Sequence, residues 1–244
     1  AFSAAPVGEN IFCAGHAFLP DGRLLVAGGQ LSEAHGLPST NVFDYATGTW
    51  IAPSTMAKGR WYPTTTELAD GRVLVMAGTD EHGLEAPVPE IWSAGTWAPL
   101  PTAERVLPYY PRNCVAPGGR VFYAGESRQS GYLDPGTWAW IDAAPSLYGN
   151  REYGSAVMYR PGKVLIVGGS DVPDGAPTAT AETIDLAQSS PVWRFTGPMV
   201  FPRRQLNATL LPDGRVAVTG GTSSPGFTDP AGAIHAVEAW DPAT

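Results

Sequence analysis

Five residues share one position of a recurring pattern. Cys13, Tyr62, Tyr110, Tyr153 and Gln205 each stand nine residues before a turn glycine: Gly22, Gly71, Gly119, Gly162 and Gly214. A thiol, three phenols and an amide at one depth could serve one-electron chemistry or hydrogen-bond a polar ligand. Trp61 and Tyr109, beside two of them, add faces on which a sugar ring could stack. The spacing thus offers a redox or carbohydrate site, with core packing of the aromatics as the plain alternative.

The other reactive residue types are more scattered. Cys114 falls five residues before its turn glycine rather than nine and is expected to be a buried, inert thiol. His16 is expected to be satisfied between blades and to face away from the ring of five. His35 and His82 fall in loops without a shared spacing, and His235 carries no signal. The run Thr79-Asp80-Glu81-His82 could hold a cation but lacks regular ligand spacing. The Arg203-Arg204 pair reads as a solvated rim, with anion or sugar binding as the lesser option. Gly-Gly pairs follow strands but open no helix, so they are no dinucleotide fingerprint. There is no Ser-His-Asp or zinc pattern.

The elements that position these residues come from a repeat of near-constant period. LPDGRLLVAGG (19–29), LADGRVLVMAG (68–78), APGGRVFYAGE (116–126), YRPGKVLIVGG (159–169) and LPDGRVAVTGG (211–221) place turn glycines 49, 48, 43 and 52 residues apart, close to the kelch period. Each copy is a tight turn between two runs of β-formers, glycine supplying the positive φ of a hairpin. A third strand follows a variable loop (NVFDY, PEIWS, GYLDP, AETIDL, AVEAWD). Trp50, Trp97, Trp140 and Trp193 open a fourth. Four strands per repeat make a propeller blade.

The fold class is therefore all-β, a kelch-like β-propeller of five four-stranded blades in one domain over 1–244. The repeats fall near 12–51, 61–98, 109–141, 152–195 and 204–244, the last completed by 1–6. That completion rests on AFSAAP resembling AWIDAAP (139–145), with Phe2 in the place of Trp140. Pairing of 1–6 with the last blade would close the ring and remove its exposed edges. An open ring would instead favour self-association. Cys13, Tyr62, Tyr110, Tyr153 and Gln205 should then surround the axis, with Gly15, Thr64, Arg112, Ser155 and Asn207 on the same side by the period-two rule.

Composition agrees with a folded, turn-rich chain: 29 Gly and 24 Pro among 244 residues, 43% hydrophobic and 16% charged. A net charge of −8 disfavours nucleic acid and anionic membrane surfaces as partners. No apolar run approaches a membrane span, and the N-terminus lacks a signal-peptide pattern. Two cysteines say little about compartment.

IFCAGHAFLPDGRLLVAGG (11–29) followed by MAKGRWYPTTTELADGRVLVMAG (56–78) resembles the galactose oxidase and glyoxal oxidase family of copper-radical oxidases, over almost the whole chain. The resemblance implies a portion of a seven-bladed propeller, matching its second through sixth blades, and an exported parent. In that family a cysteine is bonded through sulfur to a tyrosine of the next blade beside copper. Carried over, these are Cys13 and Tyr62, and Tyr62 is the one metal ligand the resemblance supplies. The family also uses a Tyr-His-Ser motif and a second histidine from a downstream domain, and this sequence has no Tyr-His pair. The family's stacking tryptophan has no match, Asp80 falling near its place. Copper held by Tyr62 without nitrogen ligands would lack affinity and a tuned potential. The expectation is thus a scaffold without its own catalysis and without a bound cofactor. One alternative is a copper-radical oxidase of primary alcohols or aldehydes using Cys13 and Tyr62. Another is a propeller that binds a glycan, peptide or small molecule at the mouth formed by Trp61, Tyr109, Tyr110, Tyr153 and Gln205.

Overall fold

The computed structural model describes residues 4–244, and nearly all of its regular structure is antiparallel β-sheet. It resolves into two compact units, Ala1–Pro111 with Asp134–Ala139, and Arg112–Leu133 with Trp140–Thr244.

In the first unit, strands β1 (Gly15–Phe18), β2 (Leu24–Ala27), β5 (Thr40–Asp44) and β6 (Thr49–Ile51) form one four-stranded sheet in that order. A small ribbon of β3 (Gln30–Ser32) and β4 (His35–Gly36) occupies its long loop. The second sheet is β7 (Thr64–Glu67), β8 (Val73–Met76), β9 (Glu90–Ser93) and β10 (Thr96–Pro99). All four residues of β8 are buried, which explains why VLVM reads as a continuous apolar run rather than an alternating one. Leu25, Ala27 and Val42 of one sheet pack with Val73, Val75 and Trp92 of the other.

The second unit begins with β11 (Asn113–Val115), β12 (Val121–Tyr123), β13 (Gly131–Leu133) and β14 (Trp140–Asp142). Next come β15 (Ser155–Arg160), β16 (Lys163–Val167), β17 (Ala181–Asp185) and β18 (Arg194–Thr196). The final sheet contains β19 (Arg204–Leu210), β20 (Val216–Thr222) and β21 (Glu238–Trp240). Phe122 and Ala124 pack with Val164, Ile166 and Trp193, and Leu165 and Val167 with Leu206, Val216 and Val218.

The five blades, their strand order and their turns thus agree with the repeat. The Asp-Gly-Arg turns are locally self-satisfied: Asp21, Asp70 and Asp213 each accept from the backbone N–H and the Nε of the arginine two residues on. Gly71 adopts φ +83°, and a Cβ there would also meet Pro20 Cγ at 2.6 Å.

The last blade departs from the expected four strands: among the described residues it has three. Ala4–Pro6 form no strand, and Ala5 O instead accepts from Trp50 Nε1 at 2.9 Å, within the first blade. Pairing of 1–6 with the last blade is therefore not seen among the described residues. Residues 1–3, Phe2 included, lie outside them.

Three blades share a buried ion pair. Arg60, Arg151 and Arg203 each stand eleven residues before their turn glycine, and each pairs with a third-strand glutamate: Glu90, Glu182 and Glu238. Their guanidinium groups also donate to backbone carbonyls, for example Arg60 to Ala77, Ala86 and Val88. The carboxylates accept from amides of the preceding loop, Ala57 for Glu90 and Leu147 with Tyr148 for Glu182. Each pair therefore ties a loop to a sheet, with its charges neutralised as burial demands, although the Nε of each of the three arginines is buried without a hydrogen-bond partner. In the first blade Glu9 makes the corresponding link, accepting from Ser39 and Asn41.

Candidate functional site

All five register residues adopt the left-handed conformation: φ is 63° at Cys13, 62° at Tyr62, 48° at Tyr110, 51° at Tyr153 and 57° at Gln205. This region disfavours side-chain-bearing residues, so its recurrence at one position needs a compensating bond. In the first unit Tyr62 N–H donates to Cys13 O at 2.9 Å and Tyr110 N–H to Tyr62 O at 2.9 Å. In the second unit Gln205 N–H donates to Tyr153 O at 2.8 Å. A backbone hydrogen bond from one repeat to the next thus holds the bend and delivers each side chain. Cys13, Tyr62 and Tyr110 precede their strands and depart from the extended geometry on which a two-residue alternation depends.

In the first unit the bends assemble one aromatic cluster. The rings of Trp61 and Tyr62 are stacked, centroids 3.7 Å apart and planes 6° from parallel. Tyr110 also stacks on Tyr62, at 4.5 Å and 24°. Tyr109 meets Trp61 and Tyr62 edge-on at 5.2 and 5.4 Å. Trp61 Nε1 donates to Gln30 Oε1 at 3.2 Å, and the Trp61 backbone exchanges two hydrogen bonds with Thr79. Cys13, 8% exposed, is a free thiol. Burial pushes it above its ordinary value, and hydrogen bonding with Tyr62 acts against that rise, as does hydrogen bonding with Tyr110 and Trp61. Cys13 and Tyr62 are thus neighbours, joined directly by the backbone hydrogen bond from Tyr62 N–H to Cys13 O. Burial also raises the Tyr109 phenol.

In the second unit Tyr153 lies in a charged cluster, and Gln205 is joined to it through its backbone N–H. The Arg204 guanidinium lies 5.3 Å from the Tyr153 ring centroid and 5.8 Å from that of Phe227, and Phe227 meets Tyr153 edge-on at 4.8 Å. Arg204 pairs with Glu152 and Asp174 and donates to Gly226 O. Glu126 accepts from Tyr153 N–H, and burial pushes its carboxyl above the usual range. Arg112 donates twice to Gly154 O.

Several expectations need correction. Arg203 and Arg204 are completely buried and are no solvated rim. His16 is exposed rather than satisfied in an interface, and lines with Tyr110 a cavity of about 140 Å³. Asp80 of the acidic loop is already engaged: it accepts from the His82 and Leu84 amides and pairs with Lys58. Burial would raise its carboxyl, and those partners outweigh it, holding it below the usual range. A tryptophan does lie on Tyr62, but it is the chain neighbour Trp61 and not a residue at the Asp80 position. Cys114 is partly rather than fully buried, packed against the cluster around Phe122 and Val164, and desolvation pushes its thiol up to about 12. The Arg–Glu pairs escaped the sequence reading, although arginine at the eleventh residue before three turn glycines was their visible signal.

The cluster does not fit a copper centre. Around Tyr62 the shown groups are a thiol, an indole and two phenols, whereas copper favours imidazole nitrogen. Among the described residues no three His, Cys, Asp or Glu side chains come together as metal ligands.

No established family profile matches the chain. Galactose oxidase of Gibberella zeae is 29% identical over 239 residues, covering 87% of this chain and 34% of its own length. Aldehyde oxidase GLOX of Vitis pseudoreticulata is 26% identical over 239 residues, covering 88% and 45%. The chain thus spans about a third to a half of these relatives. The solved structure of a novel fungal alcohol oxidase of the AA5 family, in complex with copper, shares the fold. Its TM-score is 0.83 at 24% identity, over 96% of this chain and 52% of the other.

Proposed function

We propose, taking the chain as a galactose oxidase-like propeller, that it is the scaffold that positions a Cys13–Tyr62 pair and does not itself oxidise alcohols or aldehydes. The juxtaposition of Cys13 with Tyr62, joined by the 2.9 Å backbone hydrogen bond and with Trp61 stacked on the Tyr62 ring, carries this reading. The bends at Cys13 and Tyr62 preorganise the pair before any chemistry. Oxidation of an alcohol by oxygen would further need a metal held by nitrogen donors, and the described donor set does not supply one. An exported setting belongs with this reading.

A glycan-binding role is less well supported. Stacking on a sugar needs an open aromatic face, and Trp61 is 6% exposed with one face spent on Tyr62. Tyr109 and Tyr110 are only half-buried and would be the remaining contacts.

The test is copper loading followed by intact-mass analysis and a peroxide assay with D-galactose and methylglyoxal. The expected result is no peroxide above the copper-only control. Turnover that disappears in Tyr62→Phe would overturn the proposal. A two-dalton loss mapped to Cys13 and Tyr62, without turnover, would show the pair to be reactive within an inactive scaffold.

A further inference from the structure

The Asp-Gly-Arg turns of the first two blades present one platform to two different surroundings. Arg23 and Arg72 each follow their turn glycine, and each guanidinium is held by its own aspartate, Arg23 Nε to Asp21 at 2.9 Å and Arg72 Nε to Asp70 at 2.7 Å. A second contact of 2.7 Å from Nη2 completes each fork. Both guanidinium groups are thus oriented by their own turns, at the opposite end of β1 and β7 from Cys13 and Tyr62.

Over Arg72 lies an indole. Trp138 belongs to the connection between β13 and β14, residues 134–139, which is closed by Trp138 N–H donating to Asp134 O at 2.7 Å. Its ring centroid stands 5.4 Å from the Arg72 guanidinium carbon. The corresponding connection of the second blade, between β9 and β10, is only Ala94 and Gly95. So short a turn carries no ring, and among the described residues no aromatic side chain lies over Arg23.

Arg23 and this short turn instead border a cavity of about 490 Å³, with Val42, Ile51, Pro53 and Trp92 as its apolar wall. That size falls within the roughly 300–1,000 Å³ usual for small-molecule sites. Asp21, Asp70 and Arg72 also line it, but each carboxylate is engaged by its own arginine, so the charges cancel. Arg23 Nη1 remains a donor without a partner among the described residues.

We propose that this cavity binds a planar, uncharged aromatic molecule of two fused rings, lying over the Arg23 guanidinium as Trp138 lies over Arg72. The guanidinium selects for a π-system, the apolar wall buries the rest of the ring, and a carbonyl on the ring edge accepts from Arg23 Nη1. A cationic ligand would meet Arg23, and an anionic one Asp21 and Asp70; a neutral one meets neither penalty.

The experiment titrates the whole chain with 2-naphthamide and with its saturated counterpart, decahydro-2-naphthamide, followed by ligand-observed NMR. The aromatic compound should bind saturably at one site, and the saturated one at least about fivefold more weakly, as expected for loss of a guanidinium–ring contact. Arg23→Gln should weaken naphthamide binding by about the same factor while leaving the unfolding midpoint almost unchanged, the turn being exposed. Replacing Ala94-Gly95 with Asp-Pro-Gly-Thr-Trp-Ala, the sequence of residues 134–139, should set an indole over Arg23 and abolish binding. Should that graft fail to fold, Arg23→Gln and the saturated compound decide. Equal affinity for the two compounds, unchanged binding by Arg23→Gln, or undiminished binding to a folded graft would each overturn the proposal.

Discussion

The indole of Trp61 lies on the phenol ring of its chain neighbour Tyr62, 3.7 Å between centroids. Adjacent residues in an extended strand point to opposite faces, so this stacking depends on the left-handed turn at Tyr62. Trp61→Ala should cost about 3–5 kcal/mol, the usual toll for emptying a buried aromatic site, measured by denaturant unfolding. Trp61→Phe should recover most of that. A loss under 1 kcal/mol for the alanine variant would mean that the stack contributes little.

The buried arginines make a second expectation. Glu90→Gln leaves the Arg60 charge without its counter-ion in a site with no solvent access, and should destabilise by about 3–5 kcal/mol. Glu182→Gln should act comparably on Arg151. Asp213→Asn, at an exposed turn pair, should leave the unfolding midpoint almost unchanged. Guanidinium titrations of the three variants test the ordering.

Cys114 sets a pH dependence. Its folded value is pushed from 9.0 to about 12, so the folded state prefers the neutral thiol. The resulting stability is complete below about pH 9 and is lost as the pH climbs from there to about 12. Cys114→Ala should flatten this alkaline decline, at some packing cost near neutrality. Iodoacetamide at pH 8 should label Cys114 much more slowly in the native protein than after unfolding, because its thiol stays protonated; equal rates would contradict the raised value.

The β9–β10 hairpin offers a stabilising change. Ala94 and Gly95 form its two-residue turn with φ 48° and 90°, positive at both positions as a type I′ turn requires. Asparagine tolerates this region better than alanine. Ala94→Asn should therefore raise stability by about 0.5–1 kcal/mol, visible as a higher unfolding midpoint.

Much of this molecule was legible in one dimension because its determinants are local. A glycine turn between two β-forming runs specifies a hairpin wherever it falls, so the five copies located β1–β2 through β19–β20 and the shared position of Cys13, Tyr62, Tyr110, Tyr153 and Gln205. Their equivalence needed only a constant count to the turn glycine. Their conformation did not follow, because the left-handed φ is maintained by hydrogen bonds to the neighbouring repeat, such as Tyr62 N–H to Cys13 O. Burial of Arg203 and Arg204 was likewise hidden: a guanidinium goes inside only where distant carboxylates, here Glu238 for one and Glu152 for the other, offset its desolvation. The sequence by itself determined the blades and the common position of the site residues. Only the tertiary structure decided which of them meet, since Trp61, Tyr62, Tyr109 and Tyr110 pack into one cluster through contacts between repeats, which no local propensity encodes.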